Sequence, residues 1–330
     1  MTHPTLVVID PVTAGSRRPI AQRLRRHDPT VPVVRADDAG ITRGDGVFES
    51  LPVVHGHPHA LDAHLARLQH SAAQLDLPEL DLTAIDAAVQ YAIELHEHSE
   101  LLVKIVVTRG VDHNPTAWVH ASTAPDYTSQ QREGVRAVTL DRGYRSDIAR
   151  TSPWLLAGAK TLSYAIHTAA LREAGRRGAD EVIFVSTDGF VLEGPTSSVI
   201  ARFGQVCATP ATDQGILAGT TQITAREVFA SHGYDTVERP IPRDTLDRCD
   251  GLWLVSSGRK AVPVVELDGR PLPVDRILTD LLLRGLTDAT DAASPLWGRL
   301  GLIPRSATSP TRSVPSKTHL TACPTHHTHR

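Results

Sequence analysis

The chain has 330 residues, of which 41% are hydrophobic and 22% charged, and its formal net charge is -3. These values describe an ordinary globular protein with room for two domains, and 34 basic against 37 acidic residues, without a Lys/Arg stripe, exclude charge-driven binding to nucleic acid. No apolar run reaches the ~18 residues of a membrane span and no export signal is visible, so we predict a cytoplasmic protein without a membrane partner.

The first half of the chain predicts a small α/β domain, which we place at residues 1–125. A strand at Leu6–Ile9 and a short helix ending in a solvated arginine cluster, Arg23 to Arg26, precede a strand near Val31–Arg35. A Gly-rich segment, Arg43–Ser50, leads to helices at Leu61–Leu75 and from about Thr83 to His96. Strands follow at Leu101–Thr108 and near Ala117–Ala121.

The second half predicts a larger, strand-rich domain at residues 135–303, joined by a polar linker at 126–134. Asp188-Gly189 and Gly204-Gln205 lie between apolar runs and predict two hairpins, at 181–192 and 198–208. A helix at about Gln222–His232 ends at Gly233, and strands follow at Gly251–Ser256 and Val262–Glu266. Residues 304–330 are rich in Ser, Thr, Pro, His and Arg and predict a disordered tail.

Lys160 is the most informative residue of this second domain. It follows the small-residue run 157–159 and opens an Ala-rich pattern that predicts a helix with apolar residues from Leu162 to Ala170 on one face. Packed surroundings would desolvate its ammonium group and lower its pKa. A partly neutral lysine is a nucleophile that can form a Schiff base, whereas a solvated lysine at a helix start would have no such role.

Two charged residues support a chemical role for Lys160. Arg67 follows His64 by one turn of the predicted 61–75 helix, and its guanidinium suits either a phosphate or a structural ion pair. Glu193 directly follows the strand Phe190–Leu192, where a carboxylate needs a cationic or proton-donating partner. A protonated pyridine nitrogen and a structural salt bridge both satisfy that need.

Hydroxyl-bearing residues complete the candidate site. Gly219-Thr220-Thr221 leads into the 222–232 helix, so its N–H groups and hydroxyls predict either a phosphate site or a capped helix start. Ser257 follows the strand Leu252–Val255 and can complete an anion site. Tyr164 lies on the same predicted helix face as Lys160, where its phenol would hydrogen-bond a ring oxygen or simply pack. Together with Lys160, these features specify pyridoxal phosphate.

Neither the cysteines nor the histidines predict a metal site. Cys207, Cys249 and Cys323 lack disulfide-framework and metal-ligand spacing, which favours a reducing compartment. The histidine groups at 55–59 and 96–98 have no accompanying Cys or carboxylate motif.

The chain resembles the class IV pyridoxal-phosphate enzymes, which include branched-chain aminotransferases, D-amino-acid aminotransferases and 4-amino-4-deoxychorismate lyases. Five motifs carry the resemblance in the family's order over about residues 31–275: Gly44–Glu49, His64–Leu68, Lys160–Tyr164, Glu193-Gly194 and Gly215–Thr221. The resemblance implies the fold-type IV architecture, an α/β (α+β) fold with a small N-terminal α/β domain and a larger C-terminal β-barrel-like domain with helices. It also implies a homodimer acting on a small molecule.

The resemblance also assigns roles to the site residues. It implies that Lys160 is the catalytic Schiff-base lysine and that Glu193 is the partner of the pyridine nitrogen. Arg67, Thr220, Thr221 and Ser257 would surround the phosphate, with Tyr164 near the ring hydroxyl.

The choice among activities depends on short segments. The region 108–114 lacks both the Arg-x-His element of the D-amino-acid enzymes and the Arg-Pro element of the branched-chain enzymes, since His113 has no arginine two positions earlier. The segments 103–110 and 160–164 are most similar to the lyase branch. We therefore predict a 4-amino-4-deoxychorismate lyase that releases 4-aminobenzoate and pyruvate for folate synthesis. The alternatives are a class IV aminotransferase for D- or branched-chain amino acids and a non-catalytic binding protein on the same fold.

Overall fold

The computed structural model describes residues 3–288, which form two β-sheets with helices packed against them. This arrangement confirms the predicted mixed α/β class. Within the described residues, no helix is long and apolar enough to cross a lipid bilayer. The predicted tail at 304–330 lies outside the described part of the chain.

The first sheet has six strands in the order β2-β1-β6-β5-β3-β4, and every neighbouring pair is antiparallel. Its elements, in chain order, are β1 Thr5–Ile9, α1 Ile20–Arg23, β2 Leu24–His27, α2 Ala39–Arg43, β3 Gly46–Val54, β4 His57–Pro58, α3 Leu61–Gln74, α4 Leu82–Glu94, β5 Leu101–Val111 and β6 Asn114–Thr123.

Helices α3 and α4 cover one face of this sheet because each presents an apolar stripe. Leu61, Leu65 and Leu68 recur at helical spacing in α3 and pack into one core with the inward side chains of the strands. Asp81 caps α4 by accepting a hydrogen bond from the N–H of Ala84 at 3.1 Å. The predicted helices at 61–75 and 83–96 are thus confirmed, each with a small shift of its ends.

Two predictions for the N-terminal segment were wrong. Residues 31–35 form no strand, and the sheet edge is instead β2, which pairs with β1. Arg23 is not solvated: it is 2% exposed and its guanidinium donates to Asp81 at 2.6 Å. A charged residue reads as solvated unless its partner is known, and here the partner lies 58 positions away in the sequence.

The second sheet has the order β11-β10-β9-β12-β13-β7-β8, with β14 paired to β13. Its elements are α5 Thr128–Glu133, β7 Val135–Asp141, α6 Ile148–Thr151, α7 Ala165–Arg176, β8 Glu181–Val185, β9 Ser198–Phe203, β10 Val206–Thr209, α8 Thr220–Ser231, β11 Asp235–Glu238, β12 Gly251–Ser256, β13 Lys260–Leu267, β14 Arg270–Pro271 and α9 Arg276–Asp288.

Alternating side chains of β12 show how this sheet is buried on both faces. Leu252 and Leu254 enter one apolar cluster, while Trp253 and Val255 enter another beneath α8 and α9. The predicted hairpin of β9 and β10 is confirmed, as are the backbone hydrogen bonds that join Phe184 and Leu192 around Asp188-Gly189. The change of sheet between Thr123 and Val135 supports the proposed division at residues 125 and 135.

Candidate active site

Lys160 lies where the two sheets meet, in an extended segment rather than in a helix. Its carbonyl oxygen accepts a hydrogen bond from the N–H of Phe48 at 3.1 Å, and the N–H of Leu162 donates to the carbonyl oxygen of Gly46 at 2.8 Å. The predicted helix over this residue was therefore wrong: α7 begins only at Ala165. Pairing with β3 replaces the local hydrogen bonds that a helix would have made.

The close approach of this segment to β3 depends on Gly46. A Cβ atom at this position would lie 2.7 Å from the carbonyl oxygen of Val107 and 2.9 Å from Cα of Thr108. Such contacts are too short for any side chain, so the sequence needs glycine here. The strand that carries Phe48 and Glu49 is thereby held between β5 and the lysine segment.

The amine of Lys160 is partly buried and lies above an aromatic ring. Its Nζ is 4.4 Å from the ring centre of Phe48. Desolvation lowers the pKa of Lys160 to about 8, assisted by the nearby positive charge of Arg67 and opposed by the carboxylates of Glu49 and Glu193. A substantial fraction of this amine is neutral near physiological pH, as a nucleophile requires.

This shift predicts the pH dependence of amine labelling in protein without a bound cofactor. The rate of acylation of Lys160 should rise as pH passes through about 8 and then level off, because only the neutral amine reacts. Lys260 serves as the internal reference, since its amine is hydrogen-bonded to Thr287 at the surface. Mass spectrometry of competitively labelled peptides measures both midpoints. A midpoint for Lys160 at or above that of Lys260 would contradict this account of its environment.

Glu193 lies across the same cavity at the end of the second-sheet hairpin. The N–H of Leu217 donates to its Oε2 at 3.2 Å, and its carbonyl oxygen accepts from the N–H of Phe184 at 2.9 Å. Desolvation raises the pKa of Glu193 to about 7, although the Leu217 hydrogen bond and the charge of Lys160 oppose this effect. A carboxylate in this state is stabilised by a cation or a proton donor placed beside it.

Behind the cavity, Glu49 holds Arg67 and His64 in a buried network. The Nε and Nη2 atoms of Arg67 each donate to one carboxylate oxygen at 2.7 Å, while Nδ1 of His64 lies 2.7 Å from Oε2. Glu49 is fully buried. Burial alone would raise its pKa, but Arg67 and His64 outweigh that effect and hold the pKa well below its usual range. Arg67 is therefore fixed in orientation, with Nη1 donating to the carbonyl oxygen of Ala218 at 3.0 Å.

We expect Glu49→Gln to destabilise the fold by about 3–5 kcal/mol, the usual cost of leaving a buried charge without its partner. The free energy of unfolding from urea denaturation measures this loss. The matched control is Glu173→Gln, because Glu173 pairs with Arg176 and Arg177 on exposed helix surface. That change should cost no more than about 1 kcal/mol. Equal effects of the two substitutions would show that the Glu49 network contributes nothing special.

A cluster of hydroxyl groups forms the end of the cavity near Arg67. The hydroxyl oxygens of Thr220 and Thr221 lie 3.3 and 3.2 Å from that of Ser257. Because a carboxylate only accepts, Nδ1 of His64 carries the proton, and its Nε2 faces the hydroxyls of Thr220 and Ser257 at 3.4 Å. The cluster sits at the N-terminus of α8, where Gly219 is required because a Cβ would collide with the hydroxyl of Ser198.

Tyr164 precedes α7 and does not share a helix face with Lys160, so that prediction was wrong. Its hydroxyl donates to the carbonyl oxygen of Pro195 at 3.0 Å. Its ring stacks on His167 with the centroids 4.5 Å apart and contacts Phe48 edge-on at 5.3 Å. Burial raises the pKa of Tyr164 to about 12, so the phenol stays protonated as a hydrogen-bond donor.

A single cavity of about 420 Å³ brings together every candidate site residue of the sequence. These residues are Arg67, Lys160, Tyr164, Glu193, Thr220, Thr221 and Ser257. The volume lies in the range of small-molecule sites. Between residues 3 and 288 there is no group of three or more His, Cys, Asp or Glu side chains that could hold a metal ion.

The donor groups of this cavity fit pyridoxal phosphate. The hydroxyls of Thr220, Thr221 and Ser257 converge at a helix N-terminus beside Arg67, which is a phosphate-binding arrangement. Lys160 supplies an amine for the aldehyde, and Glu193 supplies a carboxylate for a protonated ring nitrogen. Ser197, which also lines the cavity, has a buried hydroxyl without a partner in the described chain.

Sequence reasoning missed three residues that shape the site. Glu49, Phe48 and His167 surround Arg67, Lys160 and Tyr164 respectively. The only sequence signal was a carboxylate inside the apolar strand pattern of β3, since a charge there needs a buried partner. In the region that distinguishes the family's branches, Arg109 is committed to Asp45 at 2.6 Å and to the carbonyl oxygen of Leu75.

Comparison with known proteins places these features in a family. The model of amino-transferase class IV matches residues 46–267. The bifunctional aminodeoxychorismate lyase / D-amino acid transaminase of Mycobacterium tuberculosis is 45% identical over 258 residues, 74% of this chain and 89% of the relative.

Two solved structures share the fold over nearly their full length. A fold IV-transaminase from Curtobacterium pusillum has a TM-score of 0.83 and 49% identity, with 87% of this chain and all of that chain covered. The PLP-bound form of a hypothetical aminotransferase from Mycobacterium tuberculosis has a TM-score of 0.79 and 39% identity, with 87% and 98% covered. These likenesses confirm the predicted fold type and the predicted cofactor, pyridoxal phosphate.

Proposed function

Because this chain belongs to the class IV aminotransferase family of pyridoxal-phosphate-dependent enzymes, we propose that it is a 4-amino-4-deoxychorismate lyase that releases 4-aminobenzoate and pyruvate. The cavity that holds Lys160, Glu193 and the hydroxyl cluster supports the cofactor chemistry. The observation that favours the lyase is the 45% identity to a relative whose name includes this activity.

The proposed arrangement of the cofactor follows from the donor groups. Arg67, Thr220, Thr221 and Ser257 bind the phosphate, and Glu193 holds the proton of the pyridine nitrogen. Tyr164 donates a hydrogen bond towards the ring hydroxyl from its fixed position above Pro195. When bound, pyridoxal phosphate supplies an electron sink for the bond-breaking step.

The residues of the chain then perform the proton transfers. Lys160, freed when the substrate amine takes its place, removes the proton from the amine-bearing carbon. Its lowered pKa of about 8 suits this task, because a base works best with a pKa near the working pH. Departure of the enolpyruvyl group from the neighbouring carbon leaves an aromatic ring, which makes the elimination favourable. Glu193 keeps the opposite end of the cavity negatively charged throughout.

Aminotransfer to D- or branched-chain amino acids is the second candidate function. The bifunctional name of the Mycobacterium tuberculosis relative, which includes D-amino acid transaminase, is the observation that favours it. Lys160 would act as acid and base in both reactions. The difference lies in where Lys160 returns the proton, which depends on how the substrate is positioned.

Product analysis distinguishes the two reactions. Enzymatically generated 4-amino-4-deoxychorismate should give equimolar 4-aminobenzoate and pyruvate without any added 2-oxo acid, because a lyase needs no amino acceptor. Release that requires a 2-oxo acid, or no release from cofactor-loaded protein, would overturn the lyase proposal. A panel of D- and L-amino acids with 2-oxoglutarate would then test aminotransfer.

We also propose that the enzyme is a cytoplasmic homodimer. Trp154 and Leu155 are 73% and 54% exposed, although large apolar side chains at the surface usually cover a partner. Both precede the lysine segment, so an interface here would lie next to the site. Light scattering at micromolar protein concentration should give twice the mass of the chain, and a monomer would contradict the proposal.

A further inference from the structure

Lysine is rare in this protein, and its placement is informative. The chain has only four lysines among 34 basic residues: Lys104, Lys160, Lys260 and Lys317. Elsewhere arginine supplies the positive charge. Lysine differs from arginine in carrying a compact point charge on a flexible stem. Two of the four lysines, Lys104 and Lys160, line the same cavity.

Lys104 lies on the wall of the cavity formed by the first sheet. It sits on β5 directly opposite Ser50 of β3, and both residues face the cavity together with Phe48 and Leu102. The Nζ atom of Lys104 is 4.8 Å from the ring centre of Phe48, the same ring that lies 4.4 Å from Nζ of Lys160. The two amines therefore flank one aromatic side chain, which places Lys104 within reach of a molecule attached at Lys160.

The other cations of the cavity already have carboxylate partners. Glu49 accepts two hydrogen bonds from Arg67, and Glu181 pairs with Arg259. In contrast, no carboxylate within residues 3–288 forms an ion pair with Lys104, and its pKa is lowered by burial. An unpaired ammonium group that is only partly hydrated favours an anion in the space beside it.

We propose that Lys104 binds a carboxylate of the substrate and so restricts the cavity to amino compounds that carry one. This inference rests on the proposed function and names the substrate group recognised at that same site. In 4-amino-4-deoxychorismate the reacting amine is accompanied by carboxylates on other carbons, as this geometry requires. The phosphate end, at Thr220 and Ser257, is separate from this wall because its donors lie on α8 and after β12.

Binding of glutarate to the cofactor-loaded enzyme tests the proposal directly, because glutarate has carboxylates but no amine to react. Titration calorimetry should show binding to the wild type, and Lys104→Met should weaken it at least tenfold, as expected for loss of one charge-assisted hydrogen bond. Lys104→Arg, which keeps the charge, should stay within about threefold of the wild type. Lys260→Met is the matched control and should bind glutarate unchanged. Glutaramide, the uncharged analogue, should bind weakly to all four proteins.

Several results would overturn the proposal. These are no binding of glutarate to the wild type at tens of millimolar, equal binding of glutarate and glutaramide, or unchanged binding to Lys104→Met. If Lys104 acted only on the charge of Lys160, Lys104→Met would shift the pH dependence of Lys160 labelling and leave glutarate binding intact, which would also overturn it. The test is independent of the lyase reaction. Lys104-dependent glutarate binding without product release would reject the proposed function and retain this inference.

Discussion

Lys160→Ala is expected to abolish turnover, lowering kcat by roughly 10³-fold or more, because one side chain serves as both covalent anchor and proton carrier. The amine lies in the cavity with no other neutral amine beside it, since Lys104 keeps a separate position on β5. The absorbance of the lysine-bound cofactor should disappear as well. Steady-state product release and the visible spectrum of the purified protein measure the two losses.

The fold should survive this substitution. Lys160 is held by backbone hydrogen bonds, to Phe48 and to the hydroxyl of Ser71, which alanine retains. Far-UV circular dichroism and the urea midpoint should therefore match the wild type, and Lys260→Met should keep full activity. A Lys160→Ala protein that still turns over at more than about a tenth of the wild-type rate would contradict the assignment of this residue.

Glu193→Gln is expected to lower kcat by about 10- to 100-fold, the effect of losing one hydrogen bond to a charged group. An amide cannot hold a proton on the ring nitrogen as a carboxylate does, so the electron sink is weaker. Every reaction that passes electrons into the ring should slow, whether elimination or aminotransfer. Rates with saturating cofactor measure this loss apart from any change in cofactor affinity.

The same substitution should not harm the protein without cofactor. Burial raises the pKa of Glu193 to about 7, so the folded state binds this proton more tightly than the unfolded chain does, and stability falls as pH rises towards 7. Glutamine carries no charge and removes that penalty, so the variant should be at least as stable as the wild type at pH 8. An unchanged kcat would reject the role of Glu193, and a drop in stability would point to a structural one.

The site residues were predictable because each lies at a recognisable local position. Glu193 ends a strand, Thr220 starts a helix, and Arg67 lies on a helix with a clear apolar stripe. Ordered motifs of this kind predict which residues meet, even when the path of the chain between them is unknown. All seven candidate residues line one cavity.

Contacts between distant segments could not be predicted. The Ala-rich run after Lys160 is helical only from Ala165, because residues 160–162 pair with β3, more than 100 positions earlier. Glu49 was quoted in a motif without a role, since its partners Arg67 and His64 become visible only when α3 packs on β3. Local pattern predicts elements, whereas the pairing of sheets decides where a residue such as Lys160 points.

The most direct test of the account is to locate the cofactor on the chain. Borohydride reduction of the cofactor-loaded protein fixes a lysine-bound pyridoxyl group as a stable amine, and peptide mass spectrometry then identifies the modified lysine. With only four lysines in the chain, the assignment is unambiguous. The account predicts modification of Lys160 and of neither Lys104 nor Lys260. A pyridoxyl group on either of those two residues, or none after saturation with the cofactor, would contradict it.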